Sequence, residues 1–319
     1  MKIIEIKNLV KSYKDLIAVN SLGLSIEKGD VHGILGPNGA GKSTLISCIV
    51  GLNNADSGSI IYEGNSSIKK WSENIGYVPQ ELAIYPELSA YDNIKFFASL
   101  YGLKGNELEK KVQQSLDFVG LTDVKDKKSS EFSGGMKRRL NLACAITHSP
   151  KLIIMDEPTV GIDPQSRNRI LENVKQLNEQ GVTVIYTTHY MEEVEAICNT
   201  ITVMDKGNII ANGTKEEIMG MMGQGIIYLV SVDAAKGNWD GFLKAVEVLK
   251  QVSQVQEHED KEQGINQKSC LIRCAESDAI GSIIMAATQA GLAVKNIAHS
   301  EPSLEEIFLE LTGKELRDQ

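Results

Sequence analysis

Gly36-Pro37-Asn38-Gly39-Ala40-Gly41-Lys42-Ser43-Thr44 is the stretch that decides how this chain folds. It satisfies the phosphate-loop pattern G-x-x-x-x-G-K-[ST] at every position. The glycines let the backbone curl around the β- and γ-phosphates with its N–H groups aimed inward. Lys42 supplies a positive charge between those phosphates, and Ser43 a hydroxyl for the Mg²⁺ that accompanies a nucleoside triphosphate. A chance match in a chain of this length has odds on the order of one per cent. The flanks agree with the loop. Val31-His32-Gly33-Ile34-Leu35 reads as a buried strand, and Leu45-Ile46-Ser47-Cys48-Ile49-Val50 as a helix whose positive N-terminus faces the anion.

The rest of the composition narrows the possibilities. A length of 319 residues suggests two domains or one large one, and 42% hydrophobic residues can bury a substantial core. A formal net charge of −9 argues against nucleic acid as the main partner. No apolar run approaches the length of a membrane span, and Lys2 and Glu5 come too early for a secretory signal. The expectation is an intracellular protein whose contact with a membrane goes through a partner. The five cysteines, Cys48, Cys144, Cys198, Cys270 and Cys274, show no metal-ligand spacing. Cys270 and Cys274 fall on one predicted strand about 13 Å apart, too far for a disulfide.

Strand-like and helical segments alternate over residues 1–222. Ile201-Thr202-Val203-Met204 and Asn208-Ile209-Ile210 read as a hairpin around Asp205-Lys206-Gly207. Three glycines in 219–225 mark a linker. A second pattern then begins: a strand at 227–232, a helix over 239–252, strands near 254–258 and 269–273, a helix over 278–291 and a strand at 294–299. This β-α-β-β-α-β order predicts a small ferredoxin-like α+β domain over 226–319. A terminal helix follows, with Ser303 as N-cap and Glu306 completing a capping box.

Two further stretches carry chemistry. Leu152-Ile153-Ile154-Met155-Asp156-Glu157 is an apolar strand ending in two acids. Asp156 fits the acid that orients a Mg²⁺ shell, and Glu157 the one that polarises an attacking water. Ser133-Gly134-Gly135-Met136-Lys137 opens a helical run to about His148, with Ser133 capping it and the glycines baring its first N–H groups. That is a second anion-binding helix N-terminus in one chain. Lys137, Arg138 and Arg139 in this run read as balancing nearby acids, and Lys125, Lys127 and Lys128 as a solvated loop.

Taken together, the phosphate loop, Ser133-Gly134-Gly135, the Asp156-Glu157 pair, Asp163 and His189 resemble, in order and spacing, the nucleotide-binding subunit of an ABC transporter. The likeness covers residues 1–214. The signature reads Phe132-Ser133-Gly134-Gly135-Met136 in place of the commoner Leu-Ser-Gly-Gly-Gln, so one amide hydrogen bond is lost. Met136 and the ending Pro-Ser-Leu-Glu-Glu-Ile-Phe-Leu-Glu-Leu-Thr-Gly resemble exporters whose permease is a separate chain of about six membrane helices.

The resemblance implies further roles. Tyr13 is expected to stack on adenine. Gln80, after Tyr77-Val78-Pro79, is expected to touch Mg²⁺ and the attacking water and to sense the permease. Asp163 should link the two sites across a dimer, and His189 should hold the γ-phosphate. The implied fold is a parallel α/β P-loop ATPase with an antiparallel N-terminal sheet and a helical insert over about 82–150. Two copies would pack head to tail, each ATP lying between one phosphate loop and the other chain's Ser133–Gly135, on the cytoplasmic side of a membrane. A DNA-repair relative would need a coiled-coil or zinc insert, a translation-associated relative two cassettes, and a GTP switch Asn-Lys-x-Asp; none is present in the sequence. A regulatory ATPase uncoupled from transport is the alternative, and the intact Glu157 argues against it.

Overall fold

A computed structural model describes residues 1–221, 226–235, 237–258, 267–274, 279–300 and Phe308. The described chain divides into two compact units, Met1–Ile218 and Met219–Glu310.

In the first unit the strands are β1 (Lys2–Tyr13), β2 (Leu16–Glu27), β3 (Val31–Leu35), β4 (Ser57–Tyr62), β5 (Ile75–Val78), β6 (Leu152–Asp156), β7 (Thr183–Thr188), β8 (Thr200–Asp205) and β9 (Asn208–Thr214). The helices are α1 (Lys42–Ile49), α2 (Ile68–Trp71), α3 (Ala90–Leu100), α4 (Gly105–Val119), α5 (Gly134–Ile146), α6 (Pro164–Glu179), α7 (Met191–Ile197) and α8 (Lys215–Met221). β2, β1 and β4 form an antiparallel sheet. A six-stranded sheet runs β5-β6-β7-β3-β8-β9, parallel except where β9 returns against β8.

β3, β6 and β7 are buried along their whole length, which explains why they read as unbroken apolar runs. Their side chains still alternate between two cores. Leu152, Ile154 and Ile185 join Leu45, Ile46 and Ile49 of α1 and the inner face of the antiparallel sheet. Ile153, Met155, Val184 and Tyr186 face the other way, onto α3, α4, α5 and α6. The segment 82–150 holds α3, α4 and α5. The hairpin between β8 and β9 turns through Lys206 (φ 46°) and Gly207 (φ 78°), the positive-φ pair of a two-residue turn.

The second unit has β10 (Ile226–Asp233), α9 (Trp239–Glu247), β11 (Val252–His258), β12 (Gln267–Cys274), α10 (Ala279–Gln289) and β13 (Ala293–Ser300). Its antiparallel sheet runs β11-β12-β10-β13, the ferredoxin-like order. Its own core gathers Val230, Val232, Phe242, Val246, Ile272 and Ile283. Cys270 and Cys274 lie on β12, both buried, and burial pushes the Cys270 thiol up to about 12.

Two sequence expectations are corrected. α9 stops at Glu247, because Val252 is taken up by β11, where it pairs with Cys274. Residues 219–221 of the expected linker continue α8, whose Ile218 is fully buried. Residues 222–225, Ser303 and Glu306 lie outside the described residues.

Candidate active site

Four parallel strands deliver the site. β3 ends at Leu35 and hands over to the phosphate loop. β5 leads through Pro79 to Gln80, β6 ends in Asp156 followed by Glu157, and β7 leads to His189. Loops at the carboxyl ends of adjacent parallel strands meet in one crevice, so residues up to about 150 positions apart converge.

The loop itself can only be glycine at Gly41. Its φ is 104°, and a Cβ there would lie 2.2 Å from the Ala18 carbonyl. Lys42, 4% exposed, bonds the Gly36 carbonyl at 2.8 Å and the Pro37 carbonyl at 3.3 Å, and pairs with Glu157 Oε1 at 3.2 Å. The loop curls around its own lysine, which holds one positive charge at the mouth of α1.

Glu157 is the hub of the site. It is 5% exposed and adopts φ 47°, unusual for a residue other than glycine. Its N–H is held by the Thr187 hydroxyl at 2.9 Å. Gln80 Nε2 donates to Oε2 at 3.2 Å, and His189 Nδ1 lies 3.6 Å from the same oxygen. That Nδ1 is buried and makes no hydrogen bond. Beside Glu157, Asp156 accepts from Thr187 Oγ1 at 2.6 Å and from Ser43 Oγ at 3.3 Å. Burial raises the Asp156 carboxyl above its ordinary range, the two hydroxyl donors pull it back, and the Glu157 charge adds to the rise.

Tyr13 ends β1 and is 43% exposed. It lines a cleft of ≈ 410 Å³ together with Leu16, Ile17, residues 38–44, Gln80, Glu157 and Lys206. Its hydroxyl accepts from Asn53 at 3.0 Å. Lys206 was not singled out by the sequence. It enters the cleft because the Gly207 N–H bonds the Ala40 carbonyl at 2.9 Å, pinning the β8–β9 turn to the phosphate loop. Nothing local to residue 206 signals that contact.

The structure places Ser133, Gly134, Gly135 and Asp163 elsewhere. Ser133 caps α5, accepting from the Met136 N–H at 3.3 Å, and Asp163 caps α6, accepting from the Ser166 N–H at 2.9 Å. The hydrogen bonds from Ser166 hold the Asp163 carboxyl low. The two caps adjoin: a Cβ on Gly135 would fall 2.0 Å from Ser166 Oγ, so only glycine lets α5 and α6 meet there. Ser133 and Gly134 are exposed, and none of these four residues lines the Tyr13–Lys42 cleft. Met136 packs against the core of the helical segment in place of offering an amide. Arg138 and Arg139 were read as balancing acids, but their hydrogen bonds go to backbone carbonyls. Arg138 donates to those of Gln80 and Val160, and Arg139 to those of Val119 and Gly120.

A phosphate loop on a parallel sheet, a histidine at the end of the neighbouring strand and an acid pair at the end of the strand beyond define a P-loop nucleoside triphosphatase. Comparison with known proteins narrows the class. Residues 19–160 match the family described as ABC transporter, and residues 213–312 match the C-terminal domain of DrrA1-3-like ATP-binding proteins. The chain is 44% identical over 318 residues to the linearmycin resistance ATP-binding protein LnrL of Bacillus subtilis strain 168, covering 99% of this chain and 100% of that one. It is 32% identical to the Nod factor export ATP-binding protein I of Cupriavidus pinatubonensis, covering 99% and 92%. Among solved structures, cbiO1 of Clostridium perfringens, part of the ABC transporter complex cbiONQ, superposes with a TM-score of 0.63 at 32% identity. That match covers 68% of this chain and 90% of cbiO1. The dimeric post-hydrolysis ATP-binding cassette MJ0796 bound to ADP and phosphate gives 0.62 at 26%, covering 66% and 98%. The chain therefore belongs to the ABC transporter family as an ATP-binding subunit. It binds and hydrolyses ATP to power transport.

Proposed function

We propose that the chain drives export through a separate integral permease, working as a head-to-tail homodimer with two composite ATP sites. The supporting observation is the split of the site. Lys42, Ser43, Gln80 and Glu157 line one cleft, Asp156 bonds Ser43 and His189 lies 3.6 Å from Glu157, while the exposed cap Ser133-Gly134 and Asp163 do not line it. A second copy would complete what each lacks, and the α5 helix terminus would meet the γ-phosphate charge that no arginine of the cleft meets.

In this reading Tyr13 stacks on adenine, and residues 36–44 wrap the phosphates. Lys42 exchanges its contacts with Glu157 and the loop carbonyls for phosphate oxygens. Freed of that cation, Glu157 takes the proton of the attacking water, and His189 Nδ1 donates toward the γ-phosphate. Gln80 orients the water. The donor set of Ser43 hydroxyl, Asp156 carboxylate and Gln80 amide oxygen is hard and suits Mg²⁺, which when bound spreads positive charge over the β- and γ-phosphate oxygens. Asp163 couples the two sites through the α5–α6 contact. Residues 1–222 carry the ATPase, and 226–319 form an accessory domain that biases open against closed dimers.

Among the described residues no helix is long and apolar enough to cross a membrane, so the reading places the chain at the cytoplasmic face, held by its permease. The names of the relatives, one for linearmycin resistance and one for Nod factor export, favour outward movement. The test is purification of the tagged full chain from detergent-solubilised membranes. An integral protein of about six helices should copurify stoichiometrically and raise the ATPase rate. Recovery of the chain from the soluble fraction alone, with an unchanged rate, counts against transport.

A further inference from the structure

We propose that Arg138 is a positioning residue that ties the ATP cleft to the Ser133–Gly135 cap of the same chain, so that nucleotide in one composite site sets the surface offered to the other. The inference rests on the composite-site reading above.

The geometry is a single guanidinium on α5 joining two loops. Arg138 lies one turn into α5, four residues after Gly134, where the helix begins. Its Nη1 donates to the Gln80 carbonyl, and its Nη2 to the Val160 carbonyl at 3.3 Å. Both acceptors lead to Glu157, one to its carboxylate and one to its main chain. Gln80 sends its side-chain amide to Glu157 Oε2 at 3.2 Å. The Val160 N–H bonds the Glu157 carbonyl at 3.4 Å. From Arg138 outward, the path is the helix itself: the Lys137 N–H bonds the Ser133 carbonyl at 2.9 Å, and Ser133 caps the Met136 N–H. A helical turn is stiff, so a displacement of the Gln80 loop is passed to the cap through the one turn of α5 between them.

The shape of the donor makes the link strict. The Arg138 guanidinium is half-buried, which lowers it from its ordinary range, and its planar fork can serve two carbonyls at fixed spacing. Lysine reaches one of them as a point donor, and methionine neither. The fork thereby gives the cleft and the cap two joint arrangements, where a looser contact would let each move alone.

Hydrogen exchange on the full chain tests this. It is run at a protein concentration that gel filtration shows to be monomeric, with and without the non-hydrolysable analogue AMP-PNP and Mg²⁺. In the wild type the analogue should slow exchange both at 36–44 and at 133–140. In Arg138→Met the response at 36–44 should stay, and the response at 133–140 should fall at least about tenfold, the scale of lost hydrogen bonds to a charged group. Arg138→Lys should fall between. Turnover should drop at least about tenfold in Arg138→Met with KM within about twofold, because ATP still binds its own cleft.

Equal responses at 133–140 in wild type and Arg138→Met overturn the proposal, as does a wild type with no response there. If Arg138→Met does not fold, a full response in Arg138→Lys overturns it. The composite-site reading fails separately. A chain that never dimerises with ATP yet passes the signal to 133–140 keeps the Arg138 link and loses the dimer; one that dimerises without passing it does the reverse.

Discussion

Replacing Glu157 by Gln should separate binding from chemistry in opposite directions. The carboxylate now holds Lys42 Nζ at 3.2 Å, accepts from Gln80 at 3.2 Å and faces His189 Nδ1 at 3.6 Å. An incoming triphosphate has to take Lys42 away from it. A hydrogen bond to a charged group contributes about 1.5–3 kcal/mol, so removing the competitor should tighten ATP binding about tenfold or more. Glutamine keeps the shape and the φ of 47°, so the fold has no new strain to absorb. What it loses is the base. A positioned general base contributes about 10²–10⁴ in rate, so turnover should fall at least about a hundredfold, about 2.7 kcal/mol in barrier. Isothermal titration with ATP, phosphate release and gel filtration with and without ATP measure the three consequences: tighter binding, slow turnover, an accumulating dimer. Near-wild-type turnover would refute the assignment of the base. Weaker ATP binding would refute the competition between Glu157 and phosphate for Lys42.

Mixing Ser133→Arg with Lys42→Ala chains should restore one intact site per heterodimer, so ATPase activity should rise above that of either variant alone; no gain counts against the head-to-tail dimer. Ending the chain after Met221 should leave ATP affinity within about twofold, since the second unit has its own core and none of its described residues lines the cleft; titration and melting of the shortened chain decide it, and lost binding by a folded protein makes the division wrong. His148 stacks on Tyr101 at 3.6 Å and donates to the Ile75 carbonyl, and burial pushes its ring down to about 4 from an ordinary 6.5. The unfolded chain therefore binds the proton more readily, so stability holds above pH 6.5 and falls by roughly 2–3 kcal/mol as the pH drops to 4. Melting curves at pH 7 and pH 5 should converge in His148→Gln; an unchanged gap removes His148 as the cause.

The chain's local signals point to most of the residues that the fold gathers around the candidate cleft. Gly36 to Thr44, Asp156-Glu157 and Ser133-Gly134-Gly135 each need particular residue types at fixed short spacing, because a loop that turns on a positive φ or caps a helix is settled within a few residues. The buried strands and the β-α-β-β-α-β order of the second unit were legible for the same reason: runs of apolar side chains and turn residues act over the length of one element. Element ends were less so. α9 loses its last turn because Val252 gains more from pairing with β12 than from continuing a helix, and that partner strand lies beyond residue 266. Lys206 entering the nucleotide cleft, Arg138 clasping carbonyls 58 and 22 residues away, and Gly135 yielding to Ser166 were decided only by the tertiary structure. Each is a contact between segments whose separation in sequence carries no periodic or spacing signal, so its energy exists only once the sheet and helices have brought the two sides together.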